Sequence, residues 1–191
     1  MLTRVQDLQG WSSRFSTSWF RVSVSLVGLL LHIDTGSTLD SDHILAVSFG
    51  GRPKGFEDTV GHFANPLPVK IPILEHFLAE PGSEKNTLAS FVASISRNVS
   101  QVKKAERVSL LDLVRQWRKN GRLGHFNSPQ VAVSYAPALP DARCKLFPVE
   151  GSWDLFFVFQ DGPESVELGV TFLPSRSFSW TASYPILTIR S

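Results

Sequence analysis

The 191-residue sequence has one cysteine, Cys144, and only 19% charged residues. A single cysteine excludes an intramolecular disulfide and any multi-cysteine metal site, and it suits a reducing, cytoplasmic compartment. The formal net charge of +2 is too small to argue for a nucleic acid or a membrane surface as partner. Long apolar runs are also lacking. Val22 to Ile33 is interrupted by Ser23, Ser25 and His32, well short of the roughly 20 apolar residues of a membrane span; a buried helix is expected instead. Gln6 to Ser18 is too polar for a secretory signal core, so the sequon Asn98-Val99-Ser100 reads as chance. Catalytic motifs are missing as well. No nucleophile elbow is present, and Gly50-Gly51-Arg52 lacks the later Gly and Lys-Ser/Thr of a phosphate loop. The five histidines, His32, His43, His62, His76 and His125, show no ligand spacing. Neither a metal site nor a catalytic group can be assigned from motifs.

What is present is ample core material, 42% apolar with fourteen Phe and five Trp, and a pattern of helices followed by strands. Residues 1–18 are polar and Ser-rich and are expected to form a loose lead-in. Trp19 to His32 is apolar most of the way round, as a buried helix is. Ile44 to Phe49 is a continuous apolar run between turn residues, the mark of a strand buried on both faces. Leu67 to Ile73 contains Pro68 and Pro72, which cannot donate to a ladder, so it reads as an edge or irregular strand.

Glu84 to Glu106 places Leu88, Phe91, Val92, Ile95, Val99 and Val102 on one helical face. A second helix over Ser109 to Lys119 carries the stripe Leu110, Leu113, Val114 and Trp117. Its cations Arg118 and Lys119 read as a solvated helix end. Gln130 to Tyr135 alternates apolar and polar, Cys144 to Val149 is a candidate short strand, and Trp153 to Phe159 and Ser165 to Leu173 form a pair of strands about Asp161-Gly162-Pro163. The reading is α/β, an α+β sandwich in which a mixed β-sheet packs against helices.

Four of these segments, in this order, resemble the C-terminal half of the condensation domains of non-ribosomal peptide synthetases, also found in fungal polyketide–peptide hybrids. They are Gly51-Arg52 with Val60, Gly61, Phe63, Asn65, Leu67, Pro68 and Lys70; Val108 to Val114; Ser128-Pro129-Gln130-Val131; and Trp153-Asp154-Leu155. The resemblance runs from about Phe15 to Leu173. It implies a lobe over 19–173 with the chloramphenicol-acetyltransferase-like fold and a divergent tail over 174–191. The family signature His-His-x-x-x-Asp-Gly, which belongs to the N-terminal half, does not occur, and Pro66 and Lys70 stand where Thr and Arg are usual.

By that resemblance, Gly51, Arg52, Gly61, Phe63, Asn65 and Pro68 contribute to a substrate tunnel and its floor segment, around residues 50–56. Tyr135, Pro137 and Pro140 belong to a latch over about 135–151. The implied partners are a carrier-protein domain, whose phosphopantetheine arm brings the substrate, and the N-terminal condensation lobe. The implied function is part of an acyl- or peptidyl-transfer domain in secondary-metabolite synthesis, inactive as an isolated chain. Two alternatives stand beside it: a non-catalytic module that docks a carrier protein or completes another lobe, and a stand-alone acyltransferase recruiting His43 or His62 as base.

Overall fold

The structure is a computed structural model, and it describes residues 5–34, 43–50, 54–56, 64–73, 88–120, 131–136, 153–161 and 166–172. Helices α1 (Val5–Arg14) and α2 (Trp19–Asp34) precede strands β1 (His43–Gly50) and β2 (Ala64–Ile71). Helices α3 (Leu88–Lys103) and α4 (Leu110–Lys119) follow, then β3 (Val131–Ala136), β4 (Leu155–Asp161) and β5 (Val166–Phe172). The strands form one mixed sheet in the order β2-β1-β3-β4-β5. Its centre is parallel, β1 with β3 and β3 with β4, while β2 and β5 run antiparallel on the two sides.

Side chains alternate across a pleated strand, so the register sorts them into faces. Leu45, Val47 and Phe49 share a face with Leu67, Val69 and Ile71, with Val131 and Val133, and with Phe157 and Phe159. These residues form the core together with Val24 and Val27 of α2 and Phe91, Ile95 and Val99 of α3. Burying one such Val, Leu or Phe contributes about 1.5–3 kcal/mol, which makes this face the main source of stability. The other face carries smaller groups at its centre, Ala46, Ser48, Ala132 and Ser134, beside Phe156 and Val158.

The prolines of β2 explain its place at the side of the sheet. Pro66 and Pro68 have the same parity, so both missing N–H groups turn away from β1. Lys70 shares that parity, and its carbonyl is taken up by the Asn98 side-chain amide of α3 at 2.8 Å. Strand and helix are thus joined by a hydrogen bond as well as by packing. β2 begins at Ala64, three residues before the expected Leu67, because the ladder to β1 continues through Asn65 and Pro66.

Helix α2 tolerates its buried serines because each finds a partner one turn back. Ser23 Oγ donates to the Trp19 carbonyl at 3.1 Å and Ser25 Oγ to the Arg21 carbonyl at 2.8 Å. Gly28 sets how closely α2 approaches the sheet: a Cβ there would lie 2.9 Å from Cγ2 of Ile71.

Two expectations need correction. The lead-in over 1–18 is not loose: Val5–Arg14 is helical. Gly10 and the four serines Ser12, Ser13, Ser16 and Ser18 argue against a helix locally, but tertiary contacts decide. Trp11 and Phe15, one turn apart, meet edge to face at 6.2 Å and line an apolar gap with Val22, Leu26 and Val92. Ser12 Oγ donates to the Thr17 carbonyl, and Thr17 Oγ1 lies 3.0 Å from Ser96 Oγ of α3. The second correction is to β3, where Val131, Ala132 and Val133 are all buried, because it is a central strand rather than a half-buried alternating one. β4 and β5 pair antiparallel out to Asp161 and Val166, as the hairpin reading expects. The Glu57-Asp58 turn, the Ser83 cap, the Cys144–Val149 strand and the tail from residue 174 lie outside the described residues.

The close approach at Gly28 leads to a measurable outcome. Gly28→Ala improves helix propensity by about 1 kcal/mol, yet it is expected to destabilise the fold by about 1–3 kcal/mol, the usual cost of overpacking. Urea denaturation checks this. Pairing it with Ile71→Leu, which removes Cγ2, is expected to cost less than the sum of the two single changes.

Candidate functional site at one end of the sheet

Because β1, β3 and β4 are parallel, their C-terminal ends lie at the same end of the sheet. Gly50 closes β1 there and Tyr135-Ala136 closes β3. Antiparallel β2 begins beside them, with Asn65 opposite Phe49 and Ala64 opposite Gly50. The floor segment expected over 50–56 and the latch expected over 135–151 therefore leave from neighbouring strands at one end. The carboxyl ends of parallel strands are where open α/β sheets characteristically bind ligands. Strand β4 is parallel to β3 and starts at the opposite end, with Leu155 beside Val131.

Of the residues assigned to the tunnel and latch, Gly51, Arg52, Gly61, Phe63, Pro137 and Pro140 lie outside the described residues. Asn65, Pro68 and Tyr135 lie within them. Asn65 braces the connection between α3 and α4: its Nδ2 donates to the carbonyls of Glu106 at 2.8 Å and Val108 at 2.7 Å. Pro68 faces away from the core helices, opposite Ala46. Past Gly50, Gly55 adopts a φ of 90°, a left-handed conformation that glycine reaches without the Cβ penalty.

Tyr135 sits in an aromatic group that sequence patterns did not reveal. Trp19 meets its ring edge to face at 5.0 Å, Phe20 at 5.9 Å, and Trp19 also contacts Phe159 of β4 at 6.4 Å. Offset and edge-on aromatic pairs add about 0.5–1.5 kcal/mol beyond area burial. The start of α2 is thereby fixed to the ends of β3 and β4. These contacts join residues more than a hundred positions apart, so no local spacing signals them.

The histidines fall elsewhere. His43 opens β1, at the other end from Gly50, and seven steps of about 3.3 Å put the two roughly 23 Å apart. Its parity places it on the helix-covered face with Leu45. There its ring meets that of His32 at 4.7 Å, edge on, and His32 Nε2 donates to the Pro72 carbonyl at 2.9 Å. His32 is buried and also touches Phe91. The pair is a core contact between α2 and β1. Among the described residues no group of three or more His, Cys, Asp or Glu is placed to hold a metal ion. His62 lies outside the described residues.

No family model matches the chain. Among characterised proteins, the hybrid PKS-NRPS synthetase TAS1 of Gloeophyllum trabeum is 42% identical over 170 residues, which is 88% of this chain and 11% of that protein. Its counterpart in Pyricularia oryzae is 41% identical over 170 residues, 88% of this chain and 9% of that protein. The chain thus spans about a tenth of the length of these relatives. Among solved structures, the first condensation domain of the CDA synthetase superposes with a TM-score of 0.58 at 25% identity, over 85% of this chain and 35% of that one. The non-ribosomal peptide synthetase FmoA3 gives 0.67 at 16% identity over 87% of this chain and 18% of that one, a likeness of fold alone.

The mixed sheet with helices on its core face is the lobe architecture of the condensation domains. The chain has the fold of a condensation-domain lobe of non-ribosomal peptide synthetases and is similar in sequence to hybrid PKS-NRPS synthetases.

The brace at Asn65 is testable without any substrate. Asn65→Ala removes two donors to backbone carbonyls and is expected to destabilise the fold by about 1–3 kcal/mol. Asn65→Asp, whose ionised carboxylate has nothing to donate, is expected to cost more. Amide exchange around Glu106 to Asp112 is expected to quicken in both variants while β1 and β3 stay protected.

Proposed function

We propose that the chain serves as the C-terminal half of a condensation-type acyl- or peptidyl-transfer site within a larger synthetase of secondary metabolism, and that it is inactive alone. The observation that carries this reading is the convergence of the β1 and β3 exits on one end of the sheet, in a chain without a His-His-x-x-x-Asp-Gly segment. In such a site an acceptor amine or alcohol attacks the thioester carbonyl of a donor held on a carrier protein. The carbon–sulfur bond breaks and the phosphopantetheine thiol leaves. A histidine that takes or orients the acceptor proton typically contributes 10²–10⁴-fold. Here that histidine comes from the N-terminal lobe, and residues 50–56 and 135–151 provide floor and latch.

The stand-alone reading with His43 as base is disfavoured by position, since His43 lies under α2 at the far end of the sheet. No helix among the described residues is long and apolar enough to cross a membrane, and a cytoplasmic setting suits the single Cys144.

Reconstitution tests the proposal. The chain is mixed with the N-terminal lobe of a related condensation domain and with carrier proteins bearing donor and acceptor, and product is read by mass spectrometry. Product is expected only when both lobes are present, and His43→Ala and His62→Ala variants are expected to retain it. Turnover by the chain alone, or its loss in either histidine variant, overturns the reading.

A further inference from the structure

The two outer strands of the sheet differ in how their edges are protected. An outer strand presents a row of backbone N–H and C=O groups with which another strand can pair. On β2 that row is blunted. Pro66 and Pro68 have no N–H to offer there, and the Lys70 carbonyl is taken up by Asn98 at 2.8 Å. Strand β5 pairs with β4 on one side, and among the described residues no strand pairs with its other side. Its sequence, VELGVTF, contains neither proline nor lysine.

The apolar stripe of β5 is also incompletely covered. Val166, Leu168 and Val170 stand opposite Asp161, Phe159 and Phe157, which puts them on the helix-covered face. Val166 is buried and Leu168 packs against the core, but Val170 is 47% exposed. The cover given by the helices ends before the stripe does.

Residues 173–191 follow β5 directly and lie outside the described residues. In their sequence Ser177, Ser179, Thr181 and Ser183 alternate with Phe178, Trp180 and Ala182, the period of a half-buried strand. Pro174 and Ser175 supply turn chemistry before this run, and Pro185 follows it. A hairpin connection over 173–177 has a common length. It sets Phe178 opposite Phe172, Trp180 opposite Val170 and Ala182 opposite Leu168. That register lays the apolar residues of the run on the face where Val170 is open, and a slip by one residue turns them all to the other face. We infer that the outer edge of β5 takes up residues 178–183 of this same chain as a further antiparallel strand, with Trp180 covering Val170. A second copy offers the same kind of edge. A segment tethered by so short a connection, however, is present at an effective concentration of about millimolar, and this favours the chain's own residues.

The test uses the full chain, isotope-labelled, at two protein concentrations. Nuclear Overhauser contacts are expected from the Trp180 ring to the methyl groups of Val170 and Leu168. The amides of β5 are expected to exchange equally slowly at both concentrations. In Phe178→Ser/Trp180→Ser they are expected to exchange at least about tenfold faster, while β1 and β3 keep their protection and show that the sheet is still folded. Protection of β5 that rises with concentration assigns the edge to a second copy and overturns the inference. So do unchanged exchange in the double variant and Trp180 contacts that miss Val170 and Leu168.

Discussion

The parallel pairing of β1 with β3 and of β3 with β4 is the constraint on which the rest depends. Hairpins cannot join such strands, so each connection has to return along the sheet. Helices α3 and α4 lie in the connection from β2 to β3, and α3 covers the core face with α2. The same constraint brings the exits of β1 and β3 together at one end and leaves His43 at the other. In physical terms, the candidate end of the sheet is a consequence of strand direction before any side chain is considered.

Polar clamps then fix what hydrophobic burial leaves loose. Burial on the core face is non-directional and does not set the position of β2 against the helices. Asn98 reaching Lys70, Asn65 reaching Glu106 and Val108, and His32 reaching Pro72 are directional, and all three connect the strand segment 65–72 to a helix or a helix connection. Gly28 against Ile71 adds a steric limit at the same place. Strand β2, weakened as a ladder partner by two prolines, is the strand to which these polar contacts converge.

Much of this was legible from local pattern. Trp19 to His32 could only be a buried helix, the stripe Phe91, Val92, Ile95 and Val99 is buried as its spacing implies, and Pro68 placed β2 at the side of the sheet. What escaped was non-local. Helix α1 depends on Trp11, Phe15 and the Thr17–Ser96 contact rather than on propensity. Asn65 reads as a tunnel residue by resemblance, whereas its hydrogen bonds are made 41 and 43 positions later. The histidine contact joins residues 32 and 43 across the α2–β1 connection, a spacing that matches no ligand motif.

The assignment of the Gly50–Tyr135 end as the face toward the N-terminal lobe is the central claim, and hydrogen exchange reads it most directly. Exchange is followed on the chain alone and after adding the N-terminal lobe of a related condensation domain. New protection is expected at Phe49-Gly50, Asn65 and Tyr135-Ala136, with the amides near His43 and Ile71 unchanged. Protection confined to the His43–Ile71 end, or to the outer face of α4, contradicts the assignment.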